Sequence, residues 1–193
     1  MPWEKRYNET EVLERAMKAF WANGYEATSM SDLVEATGIN RGSIYAGFSD
    51  KRTLFIKALR YYDKRHRADF LDRIGKNRGG RDAILAAFTS AAESERSGGR
   101  PGGCFLVNTA LELSPHDSEV RALVKASLAE VEEFFFRNIE TAKQQGVVRK
   151  AVRPRKTAQA LLGLFLGLRV LTRSDSDKSI RDSIISQAKI MLT

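Results

Sequence analysis

The chain has 193 residues, 29% of them charged and 42% hydrophobic, with a net charge of +8 and one cysteine, Cys104. That length suits one large domain or two small ones sharing an interface. The composition is that of an ordinary globular protein. One cysteine excludes an internal disulfide framework, and with only two histidines, His66 and His116, neither a metal site nor a cofactor is expected.

The longest greasy run, residues 160–168, is too short to span a bilayer. The first residues lack the apolar core of a signal peptide. The expectation is a cytoplasmic protein with no membrane partner.

Helical periodicity dominates. A first helix is expected over residues 9–22, with Val12, Leu13, Ala16, Met17 and Phe20 on one face and Asn23-Gly24 ending it. Ser29 opens a short second helix, and Asp32 three residues on completes a capping box with aspartate in glutamate's place. Leu33, Val34 and Ala36 form its apolar side, and Gly38 ends it. Asn40 is an N-cap residue type for a third helix over residues 41–47. Ser49 is expected to cap a fourth, from residue 50 to about 74, with Asp50 in the first turn where negative charge suits the helix dipole. Five more follow at roughly residues 81–96, 103–113, 117–145, 155–172 and 177–192, making about nine. The expected fold class is all-α: an N-terminal three-helix domain, then a larger helical one.

A supporting helix, a helix, a glycine-containing turn and a short helix make a helix-turn-helix. Gly38 permits the tight reversal, and Ile39 plugs the angle between the two helices. Ile44 and Phe48, at i and i+4, anchor the short helix inward. Arg41, Gly42, Ser43 and Tyr45 are left outward, the first three at the end that reaches base edges in a major groove. Arginine pairs bidentately with guanine, and serine serves base or phosphate. Between residues 36 and 67, eight lysines and arginines face two aspartates, a net of +6 and the footprint of a nucleic-acid binder.

Residues 9–55, and above all the string GINRGSIYAGFSDKRTL, resemble the DNA-binding domain of the TetR family of bacterial transcriptional regulators. Matching positions include Phe20, Gly24, Tyr25, Thr28, Leu33, Gly38, Ile39, Gly42, Ser43, Ile44, Tyr45, Phe48 and Lys51. The resemblance implies a dimeric, ligand-responsive repressor of nine or ten helices. Its partners would be a double-stranded DNA operator, a small-molecule effector and a second copy of the chain. It divides the chain into a helix-turn-helix domain, residues 1–52, and an effector-binding and dimerisation domain, residues 53–193. By position it implies phosphate contacts from Thr28 or Ser29, Tyr45 and Lys51, and base reading by Arg41, Gly42 and Ser43. Ala46 and Gly47 stand where the family often carries larger polar residues. Base reading then falls to Arg41, Ser43 and the bases of the fourth helix.

In the larger part, Phe105, Asn108, Thr109 and Glu112 share one face of the sixth helix, a candidate effector site of apolar lining and few polar groups. An ordinary half-buried helix is the alternative. Phe135 is a further candidate, although such phenylalanines are more often core. Arg169, the only charge in residues 160–171, binds an acidic effector, pairs with Glu112 or, more plainly, reaches solvent along its stem. Cys104 lies at the presumed start of the sixth helix, where the helix terminus and Arg100 would activate a thiol. That leaves electrophile or oxidant sensing as an alternative function, against the plainer reading of a small apolar residue. Gly163 and Gly167 flatten one side of the eighth helix, and the last helix presents Ile180, Ile184 and Ala188. The resemblance makes these two helices the dimer interface; packing on the chain's own core is the alternative. No catalytic triad, metal cluster or phosphate loop is legible, so no catalytic residue is expected and a small helical enzyme is a remote alternative.

Overall fold

The computed structural model describes residues 7–93, 101–174 and 176–193. Every regular element among them is helical: α1 (Glu9–Asn23), α2 (Met30–Thr37), α3 (Arg41–Phe48), α4 (Lys51–Tyr62), a π-helical segment (Asp63–Ala68), α5 (Asp69–Asn77), α6 (Arg81–Glu93), α7 (Phe105–Glu112), α8 (Ser118–Gln144), α9 (Pro154–Arg173) and α10 (Lys178–Ile190). The last residues expected in the fifth helix, 94–96, and Arg100 lie outside the described residues.

Side-chain caps set the helix starts. Asn8, Ser29, Asn40, Asp50 and Asp117 each accept a first-turn N–H, satisfying donors that the helix itself leaves open. The Ser29–Asp32 capping box forms as expected, with bonds of 2.7 and 3.1 Å. One expectation is corrected. Ser49 does not cap the fourth helix; it ends α3 with φ of 66°, and Asp50 takes the cap, its Oδ1 accepting from Thr53 N at 2.6 Å. The chain must reverse at Ser49, which leaves the extended cap position to Asp50.

α4, the π segment and α5 run on as one rod, since the joining residues keep right-handed helical dihedrals. The rod is longer than periodicity predicts and contains a π turn that periodicity cannot show.

Two cores form. The first gathers Met17, Phe20, Leu33, Ile44 and Phe48 of the head, together with Phe55, Phe105, Leu106 and Val120 of the larger body. The second, among α6, α8, α9 and α10, holds Phe88, Phe135, Leu161, Leu168 and Leu192. Each fully buried side chain of this size contributes about 1.5–3 kcal/mol. Head and body are therefore joined through shared apolar packing as well as through α4.

Candidate nucleic-acid interface, a charged latch and a cavity

On α3, Ile44 and Phe48 are buried, and Arg41, Gly42, Tyr45 and Ala46 are exposed. Tyr45 is 42% exposed, and its hydroxyl accepts from Arg41 Nη2 at 3.4 Å. The Asn40 cap turns this helix start outward, with its Oδ1 on Ser43 N at 2.8 Å. Ser29 is exposed. Thr28 is not: its side chain is fully buried and its hydroxyl donates to the Gly24 carbonyl. Of that pair, Ser29 alone is exposed. Lys51 lies at the surface with its ammonium 4.4 Å from the Tyr25 ring centre and 3.5 Å from the Glu26 carbonyl.

Gly47 has a local reason. A Cβ there would sit 1.9 Å from the Tyr7 hydroxyl, because Tyr7 lies across the helix and stacks on Phe48 at 6.4 Å.

Half of the basic run is ion-paired. Arg52 pairs with Asp117 and Glu119, Lys57 with Glu9, Arg60 with Glu119, and Arg67 with Asp63 and Glu130. Arg52 holds Asp117 bidentately at 2.7 and 3.1 Å. This guanidinium, with the N–H of Val120, lowers the Asp117 carboxyl to about 2. Arg52 and Arg60 thereby join α4 to the start of α8.

The turn between α1 and α2 is latched from three directions. The Glu112 carboxylate, at the end of α7, accepts from Tyr25 N at 3.0 Å and Glu26 N at 2.9 Å. Gly24, at φ of 87°, is the close neighbour beneath it. Arg173, at the end of α9, donates to the Trp21 carbonyl at 3.0 Å and the Ala22 carbonyl at 2.9 Å. These are open C-terminal acceptors of α1, which has no basic residue in its own last turn, so a distant arginine supplies the charge the helix dipole favours. Lys51 closes the third side.

A cavity of about 660 Å³ lies behind the latch. It is walled by Trp21 of α1, Tyr62 of α4, Arg65, His66 and Arg67 of the π segment, Cys104 and Leu106 at the start of α7, and Phe165 and Arg169 of α9. π turns cluster at functional sites. Burial pushes the Tyr62 phenol up, so it stays a donor, and it donates to Cys104 Sγ at 3.4 Å. Arg169 donates to the Gly103 and Ala91 carbonyls; it neither pairs with Glu112 nor extends into solvent.

Of the expected effector residues, Cys104 and Arg169 line this cavity. Phe105 is buried against Phe55 and Tyr62. Asn108 Nδ2 and Thr109 Oγ1 are buried without a hydrogen-bond partner, Glu112 is in the latch, and Phe135 is core. Sequence reasoning misses Trp21 and Tyr62. Trp21 extends the Val12–Ala16–Phe20 stripe by one position, so its only signal is a stripe wider than one core needs.

On the opposite flank, Gly163 and Gly167 of α9 are exposed, and a Cβ at either would meet nothing within 4 Å. Ile180 of α10 is 46% exposed and Ile184 half-buried. Ala188 differs: it is fully buried in the second core, where it packs within its own chain.

A capped recognition helix on a small head, latched to a helical body with an internal cavity, defines a helix-turn-helix DNA-binding protein with a second, ligand-sized site. Two family models match: "Bacterial regulatory proteins, tetR family" over residues 12–58 and "Tetracyclin repressor-like, C-terminal domain" over residues 80–187. The chain is 32% identical over 142 residues to the uncharacterized HTH-type transcriptional regulator YezE of Bacillus subtilis, covering 74% of this chain and 73% of that one. It is 36% identical over 126 residues to the HTH-type transcriptional repressor ComR of Escherichia coli, covering 63% and 59%. The fold superposes on a cysteine mutant of the TetR family regulator CifR solved with double-strand operator DNA, with a TM-score of 0.83 at 25% identity over 95% and 96% of the two chains. The chain belongs to the TetR family of bacterial regulatory proteins. It is a DNA-binding transcriptional regulator.

Proposed function

We propose that the protein is a repressor that binds a palindromic operator as a dimer and is released when a small molecule enters the cavity. Residues 1–52 act as the DNA-binding head and residues 53–193 as the effector-binding and dimerisation body. Arg41, Gly42 and Ser43 read base edges, while Ser29, Tyr45 and Lys51 meet phosphates. The observation that carries this is the outward face of α3, where Arg41 and Tyr45 stand exposed over the buried Ile44 and Phe48. ComR, a relative, is named a repressor, and CifR is solved on its operator. The exposed strip Gly163, Gly167 and Ile180 supports a dimer through α9 and α10.

Footprinting across the promoter of the protein's own gene at several salt concentrations tests the reading. The expected result is a protected pseudo-palindrome whose half-sites lie one helical turn, or a multiple, apart. Only salt-sensitive, sequence-independent binding would overturn it. Ile180→Glu should shift the sedimentation profile toward monomer and abolish that footprint.

A second reading, thiol sensing, is favoured by the placement of Cys104 on the cavity wall. It requires that an electrophile such as N-ethylmaleimide release operator DNA from the wild type and not from Cys104→Ser; equal release from both removes it.

A further inference from the structure

Two of the cavity's polar groups are donors left without a matching acceptor among the described residues. Arg67 is fully engaged by Asp63 and Glu130. Arg169, half-buried on the same cavity wall, is bonded only to the main-chain carbonyls of Gly103 and Ala91, and no carboxylate partners it among the described residues. A guanidinium has five N–H donors and keeps its full charge, so two carbonyls leave both donors and charge uncompensated. The second donor is Trp21. It is 4% exposed, it lines the cavity, and its indole Nε1 has no acceptor among the described residues. An indole N–H can only donate.

These two donors belong to one wall. The Trp21 carbonyl is held by Arg173, one helical turn beyond Arg169 on α9. The Trp21 ring packs edge-on against Tyr62 at 5.1 Å. Tyr62 donates to Cys104, whose neighbour Gly103 is the acceptor for Arg169. The rest of the lining mixes apolar groups, including Phe70, Leu128, Val131 and Phe165, with charged and polar ones. Arg65 and Arg73 also line the cavity, against the carboxylates Asp69 and Glu93.

We propose that the cavity is selective for organic anions, a carboxylate carried on an apolar body, with the carboxylate accepting from Arg169 and the Trp21 indole N–H. This rests on the reading of the cavity as the effector site. It names a ligand class, and it places a residue of the DNA-binding head, Trp21, in direct contact with the ligand. An acceptor-only group answers both open donors at once and neutralises the Arg169 charge. A neutral ligand would leave that charge uncompensated, and a cation would face it. The cavity volume falls in the range that takes small-molecule ligands. Because the Trp21 and Ala22 carbonyls are the grip of Arg173, a ligand on the Trp21 side chain acts at the latch that orients the head.

The test is isothermal titration of the full-length protein with charge-matched series on two bodies. One is 2-naphthoate, 2-naphthamide and 2-naphthylmethylamine; the other is decanoate, decanol and decylamine. The expected result is that at least one acid binds at least tenfold more tightly than its neutral and cationic isosteres. The naphthyl and decyl arms separate an aromatic acid from an aliphatic one. Arg169→Gln should remove that preference while leaving the weak binding of the neutral compound unchanged. Trp21→Phe, which removes the N–H together with part of the indole and keeps an aromatic ring, should weaken the acid several-fold and the neutral compound less. Thermal melts establish that each variant is folded. Should Arg169→Gln fail to fold, the Trp21→Phe titration and the wild-type charge series still decide the matter. If neutral or cationic compounds bind as tightly as the acids, the anion proposal is overturned and the effector cavity stands. If none of the six binds, both the proposal and the cavity as effector site are overturned.

Discussion

The recognition helix and the turn between α1 and α2 are near neighbours in the chain, yet they are held in opposite ways. α3 is fixed by its own residues and those beside it: Asn40 caps it, and Ile44 and Phe48 anchor it. The turn is fixed by side chains 86 and 87 residues away in Glu112, and 151 and 152 residues away in Arg173. The contrast separates two tasks. The exposed face of α3 is shaped by its own cap and anchors. The orientation of that surface depends on charged hydrogen bonds from α7 and α9, helices that also wall the cavity. The head is thus held to the body by shared apolar packing and by a polar latch at the turn.

The largest effect should come from breaking the local side. Phe48→Ala empties a fully buried site and should cost about 3–5 kcal/mol in denaturant titrations. Next comes the latch. Glu112→Ala leaves the Tyr25 and Glu26 N–H groups without a charged acceptor, and since the site is half exposed, a loss of about 1–3 kcal/mol is expected. Operator affinity should then become less responsive to ligand; an unchanged ligand response would remove the latch from the mechanism. Arg41→Ala should leave the melting temperature alone and cut discrimination between operator and random DNA by about 1–3 kcal/mol. A comparable loss on random DNA would mean that Arg41 is only a phosphate contact. Lys51→Ala should weaken every sequence alike and lower the salt slope by about one.

The same contrast decides what the sequence can reveal. The capping box, the Asn40 cap and the Ile44–Phe48 anchor rest on neighbours in the chain, so residue type and spacing are enough to place them. Nine helical rods follow from periodicity. Glu112 shows the limit. Spacing correctly puts it on one face with Phe105, Asn108 and Thr109, but nothing in spacing says whether that face meets a ligand, the core or the head. Trp21 is the converse: it reads as a wide apolar stripe on α1, and only the approach of α4 and α9 makes it a cavity wall. The π segment is hidden because Asp63–Ala68 is almost wholly charged or polar, so no apolar stripe runs through it to show the shift in register. Ala188 fits the last helix's apolar stripe, but the stripe serves two surfaces, and Ala188 falls on the intramolecular one.

The pH dependence tests the salt bridges that join α4 to α8. Asp117 has its carboxyl lowered to about 2 by Arg52 and the Val120 N–H. A depressed carboxyl contributes stability that is present above the unfolded value near 4 and is lost as pH falls from there toward about 2. Melting temperature should fall across that window in the wild type. In Asp117→Asn, the part of the fall due to this pair should be missing. The effect should be small, because Asp117 is well hydrated, and 1 M salt should reduce it. A wild-type and variant fall of equal size would assign the acid sensitivity elsewhere.

The smallest effect expected is at Gly47, where two terms oppose. Glycine inside a helix costs about 0.5–1 kcal/mol relative to alanine, so Gly47→Ala should stabilise α3 by itself. The new Cβ would lie 1.9 Å from the Tyr7 hydroxyl oxygen, so Tyr7 must swing away and give up its stacking on Phe48, worth about 0.5–1.5 kcal/mol. Leaving also frees a hydroxyl that is buried without a partner among the described residues. The net change should stay within about 1 kcal/mol, too small to be informative alone. A double-mutant cycle makes it informative. In a Tyr7→Ala background the clash is gone, and Gly47→Ala should then stabilise by the helix-propensity term alone, about 0.5–1 kcal/mol. If the substitution has the same effect in both backgrounds, Tyr7 is not the reason for the glycine.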